Sequence, residues 1–179
     1  MAATTLDNLQ TAFNGESNAR AKYLEFARKA DAEGYAKAAV LFRATARAEE
    51  IHAANHAGVI RKLGAEPKAD VQPAHVGTTA ENLEVAIAGE TYEYETMYAG
   101  FLEQARAAGD AAAERVFRFA CEAEKEHARL FTEALGHLED WKAAVPFYVC
   151  PTCGWTVETV DFARCPVCAV KDEKFEKVL

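Results

Sequence analysis

Apolar residues recur at helical spacing along most of the chain. Leu6, Leu9, Phe13 and Tyr23 share the stripe of a first helix, which is expected to end near Gly34. Phe42, Thr45, His52, Val59 and Leu63 mark a second, with Gly64 as a plausible stop. Thr78, followed three residues later by Glu81, opens a third with a capping box. That helix carries Leu83, Ile87, Tyr94, Met97 and Phe101 and is expected to run on to Gly109. Phe117, Ala120, Phe131 and Leu138 mark a fourth. Helices one and two are tightly joined, as are three and four, so each pair forms an antiparallel hairpin. The segment GAEPKADVQPAHVGT between the hairpins spans on the order of 45 Å if extended, enough to run the length of a helix. Near residues 142–146 alanine becomes scarce and Pro151, Gly154 and Pro166 begin to punctuate the chain, which predicts domains 1–143 and 144–179.

The glutamates interrupt this pattern. Leu9, Glu16 and Tyr23 are seven apart, as are Phe42, Glu49 and His56, Leu83, Glu90 and Met97, and Phe117, Glu124 and Phe131. Each helix thus sets a carboxylate on its own apolar stripe, where a bundle ordinarily places Leu or Ile. Buried without a partner, each costs several kcal/mol, and four together exceed the roughly 5–15 kcal/mol that stabilises a typical domain. A cationic partner is required. At 1.5 Å per residue, Glu16 and Glu49 both lie roughly 25 Å from the first hairpin turn, and Glu90 and Glu124 flank the second at similar heights, so one layer can hold all four.

The hairpins also repeat each other. LFRATARAEEIHA (41–53) aligns with VFRFACEAEKEHA (116–128) at an offset of 75, and Gly15-Glu16 with Gly89-Glu90 at an offset of 74. The repeat supplies Glu49/His52 and Glu124/His127, each a Glu-x-x-His pair on one helix face. A four-helix bundle with one long crossover is the ferritin-like arrangement. One Glu from each of two helices plus Glu-x-x-His from each of the other two is its di-iron or di-manganese ligand set.

Glu93, one turn after Glu90, is either an exposed helix glutamate or a fifth carboxylate for the metals. Ferric iron favours anionic oxygen and ferrous iron suits imidazole. One iron is therefore expected to exchange His52 for Glu93 on oxidation. Tyr23 and Tyr98 lie on or beside the same stripes, either as core tyrosines or as donors to ligand carboxylates. His56 reads as a hydrogen-bonded core histidine and Cys121 as a small core residue; His75 and His137 have no identifiable partner.

The remaining four of five cysteines form two Cys-x-x-Cys knuckles, Cys150/Cys153 and Cys165/Cys168. Two knuckles place four thiolates tetrahedrally round one ion, zinc or iron. A tail this short cannot build an adequate core alone, so the ion supplies much of its folding energy. A one-electron iron centre beside a site that turns over with two electrons makes sense as donor and acceptor, which favours iron over a structural zinc ribbon.

Composition narrows the function classes. The 179 residues carry a net charge of −8, which argues against nucleic acid and anionic membrane as partners. Half the residues are hydrophobic and mean hydropathy is −0.19, fitting a soluble globule. No apolar run approaches the roughly 20 residues of a membrane span. MAATTLDNLQTAF has no basic segment before an apolar stretch, so no secretory signal is expected and the cytoplasm is the expected location.

GESNARAKY (15–23), AEEIH (48–52), GETYEYETMY (89–98), AEKEH (123–127) and the knuckles CPTCG and CPVC together resemble the rubrerythrin family over essentially the whole chain. The resemblance implies a ferritin-like four-helix bundle followed by a small rubredoxin-like β domain. It implies two irons held by Glu16, Glu49, His52, Glu90, Glu93, Glu124 and His127. A third iron is held by Cys150, Cys153, Cys165 and Cys168, although zinc can occupy such sites. Tyr23 and Tyr98 would support the ligands, and His52 and Glu93 would be the exchanging pair, with Glu93 also shuttling protons. The activity implied is a cytosolic peroxidase that reduces hydrogen peroxide to water, fed by an NAD(P)H-linked reductase or a rubredoxin. The tail of one chain is expected to lie too far from its own bundle for fast electron transfer, so a head-to-tail homodimer or higher oligomer is expected. Ala99 departs from relatives with proline there, a change expected to be local. The competing readings are a ferroxidase or iron-handling protein, and a redox-inactive scaffold with a zinc ribbon.

Overall fold

The computed structural model describes residues 4–179; residues 1–3, where the segment read for a secretory signal begins, lie outside it. Two long helices, α1 (Thr5–Glu33) and α2 (Ala36–Lys62), form the first hairpin. The second comprises α3 (Thr79–Tyr92), a π-helical segment (Glu93–Met97), α4 (Tyr98–Ala108) and α5 (Ala111–Gly136). Capping boxes open α1 at Thr4 with Asp7 and α3 at Thr78 with Glu81, and Asp110 caps α5 by accepting from the Ala113 amide. These caps satisfy backbone donors that a helix start leaves free.

The third helix is not continuous, as its apolar stripe predicts, but is interrupted by the π-helical turn at Glu93–Met97. A π turn accommodates one extra residue within a helix. The repeat accounts for it: Glu16 and Tyr23 are seven apart, whereas Glu90 and Tyr98, their counterparts, are eight apart. The extra residue lets both Tyr98 and Glu90 face inward. Ala99, just beyond this turn, is exposed.

Two apolar clusters fill the bundle. Tyr23, Phe26, Phe42 and Phe131 stack with ring centroids 5.2 to 6.1 Å apart on one side of the glutamate layer. Tyr98, Phe101 and Phe117 pack with His56 on the other. Burial of these rings contributes a large share of bundle stability.

The crossover runs along α1 without a strand partner. Gln10, Asn14 and Asn18 accept from the amides of Lys68, Asp70 and Gln72 at 3.1, 2.8 and 2.9 Å. Gln10 and Asn18 also donate to the carbonyls of Glu66 and Asp70. Four helical residues advance about 6 Å and two extended residues about 6.6 Å, so side-chain amides one turn apart meet alternate crossover residues.

Glu33 ties the hairpins together. Its Oε2 accepts from the Thr79 amide at 2.8 Å and hydroxyl at 2.6 Å, while Lys29 lies 2.9 Å from Oε1. The Thr79 and Lys29 bonds hold its carboxyl down at about 2. A lowered folded pKa stabilises above the unfolded value and is lost as pH falls through the folded one. Glu33→Gln is therefore expected to lower Tm at pH 7, with the difference from wild type shrinking as pH falls from about 4.3 towards about 2. Thermal melts of both proteins across that range provide the check.

The tail forms a three-stranded antiparallel sheet, β2 (Thr156–Val157), β1 (Phe147–Val149) and β3 (Glu176–Val178) in that order. It is fastened to α2: Arg47 makes a two-pronged pair with Glu176 at 2.7 and 3.0 Å, and Lys37 pairs with Glu158 at 2.8 Å over the Trp141 ring. No described helix is long and apolar enough to cross a membrane.

Candidate metal centre

Glu16, Glu49, Glu90, Glu124, His52 and His127 all lie in the buried layer between the two aromatic clusters. They fall into two groups whose possible ligand atoms lie within 4.8 Å of one another: Glu16, Glu49, His52 and Glu124, and Glu49, Glu90, Glu124 and His127. Glu49 and Glu124 belong to both, as carboxylates bridging two ions must. His52 Nδ1 stands 2.8 Å from Glu49, 2.9 Å from Glu124 and 3.8 Å from Glu16. His127 Nδ1 stands 2.7 Å from Glu124, 3.4 Å from Glu90 and 3.7 Å from Glu49.

These atoms are close without being hydrogen-bonded to match. Both Glu124 oxygens, one oxygen each of Glu16, Glu49 and Glu90, and His127 Nδ1 are buried with no hydrogen-bond partner. Such orphans cost about 1–3 kcal/mol each, more when charged. Donors about 2.1 Å from one ion stand about 3 Å apart at right angles, the spacing seen here. The donor set fits a pair of divalent ions.

The imidazoles are aimed from behind. A carbonyl can only accept, so His52 Nε2 carries its hydrogen and donates to Cys153 O at 2.9 Å. His127 Nε2 donates to Gly154 O at 3.3 Å and Thr156 Oγ1 at 3.2 Å. Each Nδ1 is left to face the carboxylates, the ligand tautomer. Burial opposes charge on both rings, but Glu124, with Glu16 and Glu49 for His52 and Glu90 for His127, outweighs it and raises both well above the ordinary histidine range. An incoming cation displaces those protons. Among the carboxylates, burial and the Glu124 charge push Glu90 up to about 7, against the pull of His127. Burial and the charges of Glu124, Glu90 and Glu16 push Glu49 well above its usual range.

The tyrosines occupy matching places. Tyr23 donates to Glu90 and Tyr98 to Glu16. Behind Tyr98 sits His56, 2.9 Å away, a hydrogen-bonded core histidine. Its counterpart behind Tyr23 is Phe131. Cys121 is buried with its sulfur 3.7 Å from the Tyr94 carbonyl, outside both groups. Glu93 also stands outside both: it is half-buried in the π turn and borders a surface cavity. Burial and the charges of Glu16, Glu90, Glu124 and Glu49 hold its carboxyl well above the ordinary range.

Cys150, Cys153, Cys165 and Cys168 form the third group, with Sγ separations of 3.4 Å between Cys150 and Cys168 and 3.6 Å between Cys153 and Cys165. Tetrahedral ligands about 2.3 Å from one ion lie about 3.8 Å apart, so four thiolates fit one ion.

Contrary to the separation expected above, the tail lies against the bundle of its own chain, with its first knuckle resting on His52 and His127. Gly154 makes this approach possible. Its φ is +77°, and a Cβ there would collide with His52 Nε2. Sequence reasoning missed this role, although CPTCG holds a glycine at the required place.

A duplicated carboxylate–histidine layer inside a ferritin-like bundle, with a four-cysteine domain docked on it, defines a di-iron carboxylate protein with an attached rubredoxin-like iron site. The profile of the rubrerythrin family matches residues 7–135. Rubrerythrin-2 of Clostridium acetobutylicum is 39% identical over 97% of this chain and 96% of its own. Nigerythrin of Nitratidesulfovibrio vulgaris is 36% identical over 92% of this chain and 82% of its own. A nigerythrin structure in the fully reduced, all-ferrous state superposes with a TM-score of 0.91 at 34% identity, covering 99% of this chain and 88% of that one. A Desulfovibrio desulfuricans bacterioferritin follows at 0.69 and 25% identity, over 77% and 81%. The chain belongs to the rubrerythrin family, as an iron-dependent protein of oxidative-stress defence.

Proposed function

We propose that the chain reduces hydrogen peroxide to water at the two-iron site, with electrons arriving through the four-cysteine iron. Iron at these positions supplies one electron per ion, so the pair matches a two-electron reduction. The observation that carries the reading is the 2.9 Å hydrogen bond from His52 Nε2 to the carbonyl of Cys153. It joins a ligand of one centre directly to a ligand residue of the other.

The remaining residues have separable roles. Glu16, Glu49, Glu90, Glu124, His52 and His127 hold the pair. Tyr23 and Tyr98 fix Glu90 and Glu16 and, with the flanking aromatic clusters, keep bulk water out. Glu93, which borders the neighbouring cavity, would deliver protons to the departing oxygen and would exchange with His52 as the oxidation state of bound iron changes. Cys168 is the least buried of the four cysteines, so an NAD(P)H-linked reductase or a rubredoxin donates at the second knuckle.

The bacterioferritin-like bundle supports one alternative, oxidation of ferrous iron by dioxygen. Anaerobically reduced protein mixed separately with hydrogen peroxide and with dioxygen decides between them. Peroxide is expected to reoxidise the four-cysteine centre, restoring its red ferric form, much faster than dioxygen does. Equal rates, or a four-cysteine iron that stays reduced while peroxide disappears, would refute the proposal. Protein that is colourless as isolated, before any reduction, would point to the zinc scaffold.

A further inference from the structure

Between α1 and the π turn with α4 lies a cavity of about 510 Å³, bordered by Gly15, Tyr92, Glu93, Met97, Gly100 and Phe101. Two of its bordering residues neighbour metal-centre ligands along the chain. Gly15 immediately precedes Glu16, and Glu93 follows Glu90 by one turn. Hydrogen peroxide needs little more space than water, whose share of liquid volume is about 30 Å³. The cavity is far larger than that substrate requires and falls within the range of sites for small organic molecules.

Its walls mix apolar residues with Thr11, Asn14, Glu93, Thr96 and Gln104. Met97 and Phe101 are half-buried there, and Tyr92 is 58% exposed at its edge. Gly15 lies inside α1 and Gly100 inside α4, where glycine is about 1 kcal/mol less favourable than alanine. Neither has a positive φ, and an added Cβ at either meets nothing within 4 Å. Backbone conformation and close packing therefore do not call for glycine at either place. What the two share is the open space between them.

We propose that this cavity seats the organic part of an alkyl or aralkyl hydroperoxide, ROOH, with its peroxide group directed past Glu93 towards the metal centre. This rests on the peroxidase reading and extends its substrate class. The reaction balances as ROOH with two electrons and two protons giving ROH and water. The O–O bond breaks and both oxygens are reduced. The electrons come from the reduced iron pair, and the protons from solvent by way of Glu93.

The test uses the full-length, iron-loaded protein with hydrogen peroxide and cumene hydroperoxide in parallel. Both are expected to turn over. Gly100→Leu should lower the ratio of kcat/KM for cumene hydroperoxide to that for hydrogen peroxide by about tenfold or more. Gly58→Leu, the same change on α2 away from the cavity, should leave the ratio unaltered. Leucine is the better helix former, so both variants are expected to fold. A second readout needs no turnover. Met97 is the only methionine besides Met1, so its labelled methyl signal in zinc-loaded protein should move on titration with cumyl alcohol, the unreactive product. In Gly100→Leu it should stay still. Hydrogen peroxide turnover without cumene hydroperoxide turnover, an unchanged ratio in Gly100→Leu, or a stationary wild-type methyl signal overturns the cavity assignment alone. Failure with both peroxides overturns the peroxidase reading, and the methyl titration then still decides the cavity.

Discussion

Glu49→Leu empties both positions of the iron pair and at the same time makes the metal-free chain more stable than wild type. The two effects have one cause. Glu49 contributes to both ligand groups, so its loss removes a donor from each ion. Without metal, its charge is buried among Glu124, Glu90 and Glu16, which already push its carboxyl upward. Taking one carboxylate out of this layer removes a desolvation penalty of several kcal/mol, while His52, which loses its 2.8 Å contact with Glu49, keeps Glu124 at 2.9 Å; each kcal/mol of net gain raises Tm on the order of 2–4 °C for a chain of this size. Elemental analysis should find one ion per chain, at the cysteines, in place of three. Melting curves should show a higher Tm than wild type without metal and no further rise when iron is added to the bundle. Three ions per chain, or a lower metal-free Tm, would contradict the compensation of buried carboxylates by metal.

Gly154→Ala is expected to leave all three ions bound while slowing electron delivery about 10- to 100-fold, the usual effect of disturbing a group hydrogen-bonded to a metal ligand. Alanine is strained at a φ of +77°, and its methyl would collide with His52. The first knuckle must withdraw, taking the Cys153 and Gly154 carbonyls from the two imidazoles. Stopped-flow absorbance separates the consequences. Oxidation of a pre-reduced iron pair by peroxide should be little changed, whereas the following reoxidation of the four-cysteine centre should lag. Unaltered kinetics in a fully loaded variant would show that this contact is not the electron path.

The helices, their pairing and the start of α3 at Thr78 were legible because stripes and caps are local in the chain. The metal layer was legible for the opposite reason. Glu16, Glu49, Glu90 and Glu124 contradict the stripes they sit on, and only a cation resolves that conflict. The π turn went unread because Leu83 to Phe101 still forms an apolar stripe across it. The one-residue difference between the repeat offsets 74 and 75 was its signal. The seat of the tail had no such signal. It depends on the backbone carbonyls of Cys153 and Gly154, which no side chain advertises, and on Arg47 meeting Glu176, 129 positions away. The partners of the crossover were similarly hidden, since Gln10, Asn14 and Asn18 look like an ordinary wet face of α1.

That row of amides constrains how the connection between the hairpins can change in length. Adjacent extended residues point their amides to opposite sides. Deleting one residue ahead of Lys68 would turn the Lys68, Asp70 and Gln72 amides away from Gln10, Asn14 and Asn18 together. Deleting two would slide the segment by about one helical turn and restore the fit. Length variants of this strap should therefore be tolerated in even steps and resisted in odd ones, like a zip that closes only tooth to tooth.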